Sequence, residues 1–284
     1  MKIADSPYVV AARKLWRWAR EANDAGRAFP IHGTCLGFQL LHILEVEAHF
    51  EDLLVDTDSV AHASTLEWAP GAARSWMFSG MDADLVDKLA DPAFNISLEN
   101  HQFGLPPAHY DKWPALRDAF KVLNTARDRA GVEYVATAEH RAYPFFATQW
   151  HPEKPPFEFG MAEVPHTLDA IRVSQRLANA FIEAARRSPH AFESPEQELE
   201  ESILNYKAWF TLKDSVMDPS YDGPDVTYFF DEPDEPPSGP DDRPDAPPRR
   251  AEAGVDFRGA ARLLGEPRAR MGAAPRQGLH AGAY

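Results

Sequence analysis

Cysteine is nearly absent from this 284-residue chain: Cys35 stands alone. No intrachain disulfide framework can exist, so stability must come from a packed core. Basic charge is scarce as well. Against 44 Asp and Glu there are 29 Lys and Arg, a formal net charge of -15. That balance argues against a general nucleic-acid binder, which displaces counterions with a basic footprint, so no nucleic-acid partner is expected. No run of about 18 apolar residues occurs, so no membrane span is expected. The first ten residues lack the apolar stretch of a secretory leader. The single cysteine and scattered histidines show no ligand spacing, so no metal site is indicated. What is present is ordinary for a globular protein: 44% hydrophobic and 26% charged residues.

The average charge hides a division. Residues 218–247 hold ten acids and one base, while residues 248–284 hold seven arginines and three acids. Eleven of the 25 prolines lie from Asp218 onward. Such a composition buries too little apolar surface to offset chain entropy, and it reads as a disordered tail. Two apolar clusters interrupt it, at residues 228–230 and 260–264. The expected organisation is a compact domain over 1–192, a helical extension over 193–217 and the Pro/Asp/Arg-rich tail over 218–284.

Within the first two hundred residues, apolar spacing predicts helices over 9–23, 36–46, 82–89, 167–187 and 195–210. Strands are expected over 28–32, 120–125, 132–138 and 144–149, with turns at 129–131 and 140–141. Helices and strands mixed in this way predict a layered α/β domain.

The sharpest local feature is Gly33-Thr34-Cys35-Leu36-Gly37-Phe38. An apolar strand meets glycine, a nucleophile-type residue, a second glycine and a helix, which is the spacing of a nucleophile elbow. Glycine at the flanking positions relieves crowding in a tight turn. The helix N-terminus stabilises a thiolate, and the Leu36 amide faces a developing oxyanion. A small buried cysteine in an ordinary α/β turn has the same pattern, so the spacing alone leaves both readings open. A base candidate stands in Gln149-Trp150-His151-Pro152-Glu153-Lys154, where a strand ends in histidine and proline stops it. At a strand's carboxyl end this imidazole can face the crevice where α/β sheets place ligands. Glu153 could hold the ring, completing a Cys–His–Glu arrangement. A capping histidine before a Pro-rich loop is the plainer alternative.

Together these two motifs resemble the class I glutamine amidotransferase-like hydrolases, and within them the γ-glutamyl hydrolase branch, which acts on folylpoly-γ-glutamates. Asn23-Asp24-Ala25-Gly26 before Phe29-Pro30, Asn100-His101-Gln102-Phe103-Gly104, residues 155–159 and the helix ending at 181–187 are similar to that branch too. The resemblance covers residues 7–192. It implies a three-layer, flavodoxin-like α/β domain. It also implies Cys35 as nucleophile, His151 as base, Glu153 as its orienting acid and the Leu36 amide in the oxyanion hole. His101, Asn100 and Gln39 fall in its substrate pocket. No cofactor is implied. The partner is a folylpolyglutamate substrate, a homodimer is one assembly open to it, and the vacuole, lysosome or extracellular space is the expected location.

Two departures stand out. The family pattern places opening strands and a glycine-rich turn, the second oxyanion donor, ahead of the elbow. Only 34 residues precede Cys35, so the domain is expected to lack its first strands. The family also usually has glutamate four residues after the nucleophile, where this chain has Gln39. Two further readings therefore stand beside the hydrolase: a glutamine amidotransferase-type glutaminase, and a catalytically impaired remnant with a binding role.

Overall fold

The computed structural model describes residues 6–210, 226–228 and 230. The chain opens with α1 (Pro7–Asp24). The Ser6 hydroxyl caps its N-terminus by accepting from the Val9 amide, and proline occupies the first turn. Val9, Trp16, Ala19 and Ala22 form its buried stripe. One side chain stitches the exit: the Asn23 amide donates to the carbonyls of Ala19 and Phe29 and accepts from the Phe29 amide. The chain then enters β1 (Ile31–Thr34), turns at Cys35 and runs into α2 (Leu36–Val46).

The main sheet has five strands in the order β1, β7 (Phe145–Thr148), β6 (Glu133–His140), β5 (Phe120–Arg127), β3 (Glu67–Trp68). Only β1 and β7 are parallel, with Ile31 opposite Phe145 and Thr34 opposite Thr148. The remaining pairs are antiparallel, and β1 lies at the sheet edge.

Side chains alternate across β7 with period two. Phe145 and Ala147 join one apolar cluster with Trp16 of α1 and Phe38, Leu40 and Leu41 of α2. Phe146 joins the opposite cluster with Leu85 and Leu89 of α4 (Ala83–Ala90) and Val173 and Leu177 of α7 (Leu168–Ala185). Helices thus cover both faces of a mixed sheet, the expected three-layer α/β arrangement. Short helices α3 (Phe50–Leu53), α5 (His109–Lys112) and α6 (Pro114–Ala119) fill connections.

A second sheet was not resolved by periodicity. It is an antiparallel ribbon of β2 (Val55–Ser64) and β4 (Ser97–Gly104), with register shifts between Asp56 and Ser59 and between Ser59 and His62. The helix expected over 195–210 is also corrected. Helix α8 spans Pro195–Glu200 and buries none of its side chains; a 3-10 turn at Ile203–Asn205 and β8 (Ala208–Phe210) follow. Its acid-rich sequence has no apolar stripe to carry a helix further. Most of the tail expected from Asp218 lies outside the described residues. Within it, β9 (Val226–Tyr228) pairs antiparallel with β8, and Phe230 packs edge-on against Tyr206 at 4.8 Å. These aromatics supply the apolar contact that the composition of the surrounding segment lacks.

Candidate active site

The elbow is held by sterics. Cys35 has φ 54° and ψ -107°, a left-handed conformation that side chains rarely adopt. Its amide donates to the Thr148 carbonyl at 2.8 Å, which ties the turn to the end of β7. A Cβ at Gly33 would lie 2.6 Å from the backbone of Gly37, so Gly33 cannot be replaced without moving main chain. A Cβ at Gly37 would meet nothing within 4 Å. The two flanking glycines therefore differ from the expectation that both relieve a clash: Gly37 matters as the surface that Gly33 approaches.

Cys35 is also the N-cap of α2, whose first turn has no side-chain cap and no acidic residue. The sulfur thus sits at a helix N-terminus whose amides are free of a carboxylate competitor. The thiol donates to the Asn100 carbonyl at 3.7 Å.

His151 follows β7 by three residues, and its amide donates to the Leu98 carbonyl at 2.8 Å. Its Nδ1 meets Glu153 Oε1 at 2.7 Å. Nε2 is buried and makes no hydrogen bond within ordinary geometric limits, sulfur included; the ring nonetheless lies near enough to Cys35 to feel its sulfur. Burial opposes protonation of this ring, but the Cys35 sulfur and the Glu153 carboxylate outweigh it and hold the imidazole up at about 9. Burial likewise opposes ionisation of the half-exposed Glu153, and its bond to His151 carries it below the usual carboxylate range. The arrangement can store a proton on the imidazole beside a nucleophilic sulfur, and release it to a leaving group.

The other expected residues lie on α2 and β4. Gln39 is buried, with Nε2 donating to the Phe103 carbonyl at 2.9 Å and to Gln149 Oε1 at 3.2 Å. It bridges α2 to β4 and to the residue that follows β7. His101 is buried with both ring nitrogens taken, Nε2 by Glu99 and Nδ1 by Thr57, so neither is left for a substrate. Asn100 touches the site through its carbonyl, while its side-chain oxygen accepts from the Ala61 amide. Leu36 is two-fifths exposed at the mouth of the elbow.

Three contributors escaped sequence reasoning. His32 on β1 meets the Thr148 hydroxyl at 3.2 Å, and burial lowers its pKa to about 4, so it packs as a neutral ring. Leu98 contributes only a carbonyl, which no sequence pattern marks. Glu99 was legible in principle, since Glu and His two residues apart on a strand share a face.

Concavities of about 650 Å³ at residues 190–198 and about 480 Å³ between Arg13 and Glu47 are lined by neither Cys35 nor His151. A third, about 250 Å³, runs between α1 and α2 over Gly33 and Gly37. Among the described residues, no group of three or more His, Cys, Asp or Glu side chains is placed to hold a metal ion, and no helix is long and apolar enough to cross a membrane.

The family model described as Peptidase C26 matches residues 1–153, which include Cys35, His151 and Glu153. The chain belongs to the Peptidase C26 family. Its relatives in the curated set include gamma-glutamyl hydrolase 1 of Arabidopsis thaliana, 35% identical over 201 residues, covering 70% of this chain and 56% of that protein. Gamma-glutamyl hydrolase B of Dictyostelium discoideum is 31% identical over 216 residues, covering 75% and 61%. Gamma-glutamyl hydrolase of Bos taurus is 33% identical over 218 residues, covering 76% and 66%. The chain thus spans between 56% and 66% of the length of these Peptidase C26 relatives.

Proposed function

We propose that this chain is a cysteine hydrolase that cleaves γ-glutamyl bonds of folylpoly-γ-glutamates through a thioester. The observation that carries the reading is one constellation: a strained cysteine at a helix N-terminus, and near it a buried imidazole held by a carboxylate. Membership of the Peptidase C26 family and the names of its relatives supply the bond type.

In this reading the Cys35 sulfur attacks the γ-amide carbonyl and the carbonyl oxygen takes the negative charge. The Leu36 amide, at the start of α2, donates to that oxygen. His151 gives its proton to the departing amine, the C–N bond breaks and a thioester remains. His151 then takes a proton from water, the hydroxide adds to the thioester, and the C–S bond breaks to return the sulfur and release the acid. Glu153 keeps the ring turned toward the sulfur throughout. Gln39, Asn100 and His101 then act on the pocket's shape, with Asn100 reaching the site through its backbone. A homodimer and a vacuolar, lysosomal or extracellular location belong to the same reading and rest on the family resemblance alone.

Glutamate release from a folate polyglutamate, followed chromatographically, tests the reading. The parent chain should release glutamate or short glutamate chains and Cys35→Ala should release none. A substrate left intact by the parent, or cleaved equally by Cys35→Ala, refutes it. Turnover of free glutamine in place of the polyglutamate would transfer the assignment to a glutaminase.

A further inference from the structure

Strand β4 meets both halves of the catalytic pair. The Leu98 carbonyl holds the His151 amide at 2.8 Å, and the Asn100 carbonyl accepts from the Cys35 thiol at 3.7 Å. Carbonyls two residues apart on a strand point the same way, so one rotation or slip of β4 moves both contacts at once.

Between them sits Glu99, fully buried. Its Oε1 accepts from the Ser64 hydroxyl at 3.1 Å, and its Oε2 meets His101 Nε2 at 3.1 Å. His101 Nδ1 continues to the Thr57 hydroxyl at 3.1 Å, and its ring meets Tyr134 edge-on at 4.7 Å. The Ser97 hydroxyl donates to the Ser64 carbonyl at 2.8 Å. A carboxyl with no solvent is costly unless every lone pair is matched, and a packed apolar layer would serve stability as well. What directional bonds add is register. Register is in question here, because β2 carries two irregularities opposite this stretch of β4.

We propose that Glu99 is a positioning residue for the Cys35–His151 pair. Bonded across the ribbon to Ser64 and along β4 to His101, it locks β4 so that the Leu98 and Asn100 carbonyls present base and nucleophile to each other. The turnover part of its test rests on the hydrolase reading; the thiol part does not.

The test uses the whole chain and the variants Glu99→Leu, Glu99→Gln and Ser64→Ala. The readouts are the rate of Cys35 alkylation by iodoacetamide, and kcat and KM on a γ-glutamyl substrate. Small misplacements of reacting groups are expensive, so Glu99→Leu should slow alkylation and kcat by about 10- to 100-fold with KM within about twofold. Glu99→Gln keeps length and hydrogen bonding, since a change of His101 tautomer lets the ring accept from the new amide. It should recover to within about threefold of the parent, with Ser64→Ala in between. A folded Glu99→Leu variant with parental alkylation and kcat, or a loss confined to KM, overturns the proposal. Should Glu99→Leu fail to fold, Ser64→Ala decides: parental alkylation overturns the proposal, and slowed alkylation supports it. A parent chain inert toward every γ-glutamyl substrate, yet with Cys35 reactivity that depends on Glu99, would refute the hydrolase and leave the positioning role standing.

Discussion

The two sheets serve the site in opposite ways. The five-stranded sheet carries the proposed reacting groups at the ends of two short strands: the elbow after β1 and His151 after β7. In the proposed mechanism the β2–β4 ribbon supplies no reacting side chain. It offers two carbonyls, backed by a buried polar layer and a bulged partner strand. In the first region sterics dictate position, since backbone packed against backbone has no room to give. In the second, hydrogen bonds do, and those can be traded or weakened one at a time.

The largest effect should come from the sterically fixed side. Gly33→Ala pushes a methyl group into the Gly37 backbone, and overpacking of this kind costs about 3 kcal/mol. Chemical denaturation should show that loss, and parental stability would mean the elbow is softer than its geometry implies.

Next is Glu153→Gln, which removes the charge that helps hold His151 up at about 9. Turnover at neutral pH should fall about tenfold, and the alkaline limb of activity should move down toward the ordinary imidazole value. An unmoved limb would assign the raised value to the sulfur alone. The same coupling gives stability a direction. Because the folded value lies above the unfolded one, the contribution is complete below an imidazole's ordinary pKa and is lost as pH rises through about 9.

On the hydrogen-bonded side, Asn100→Ala removes only the side-chain bond to Ala61, which has a positive φ of 47°. It should destabilise by about 1 kcal/mol and leave the carbonyl that faces Cys35 in place. A complete loss of activity would show that the side chain, not the backbone, is what the site uses. The smallest effect belongs to Gly37→Ala, whose Cβ meets open space inside a helix. It should change stability by no more than about 1 kcal/mol, in the stabilising direction. The contrast with Gly33→Ala is the sharpest check on which glycine the turn requires.

Legibility in the sequence followed the same division. Helix α2 spans the residues its apolar face predicts, and α7 is short of its expected bounds by one residue at the start and two at the end, with Thr167 as its cap. Strands β5, β6 and β7 stand where apolar runs and turns put them, within a few residues. The elbow was legible because its chemistry is local, six consecutive residues with two glycines. The ribbon was not. In Val55–Ser64 polar and small residues alternate with no sustained apolar face, and the bulges break the period. His101 shows the limit most clearly. Its position beside Asn100 was informative, yet only the fold reveals that the ring turns into the polar layer toward Glu99. For Gln39 likewise, only the fold reveals that its amide donates to Phe103 and Gln149.

The central claim is that the imidazole of His151 makes Cys35 a nucleophile near neutral pH. Iodoacetamide alkylation of Cys35, followed by mass spectrometry across pH in the parent and in His151→Ala, tests it most directly. The parent should react fast at neutral pH. The variant should be slow there and recover only near the free-thiol pKa of about 8.5. Identical profiles in the two proteins would contradict the account.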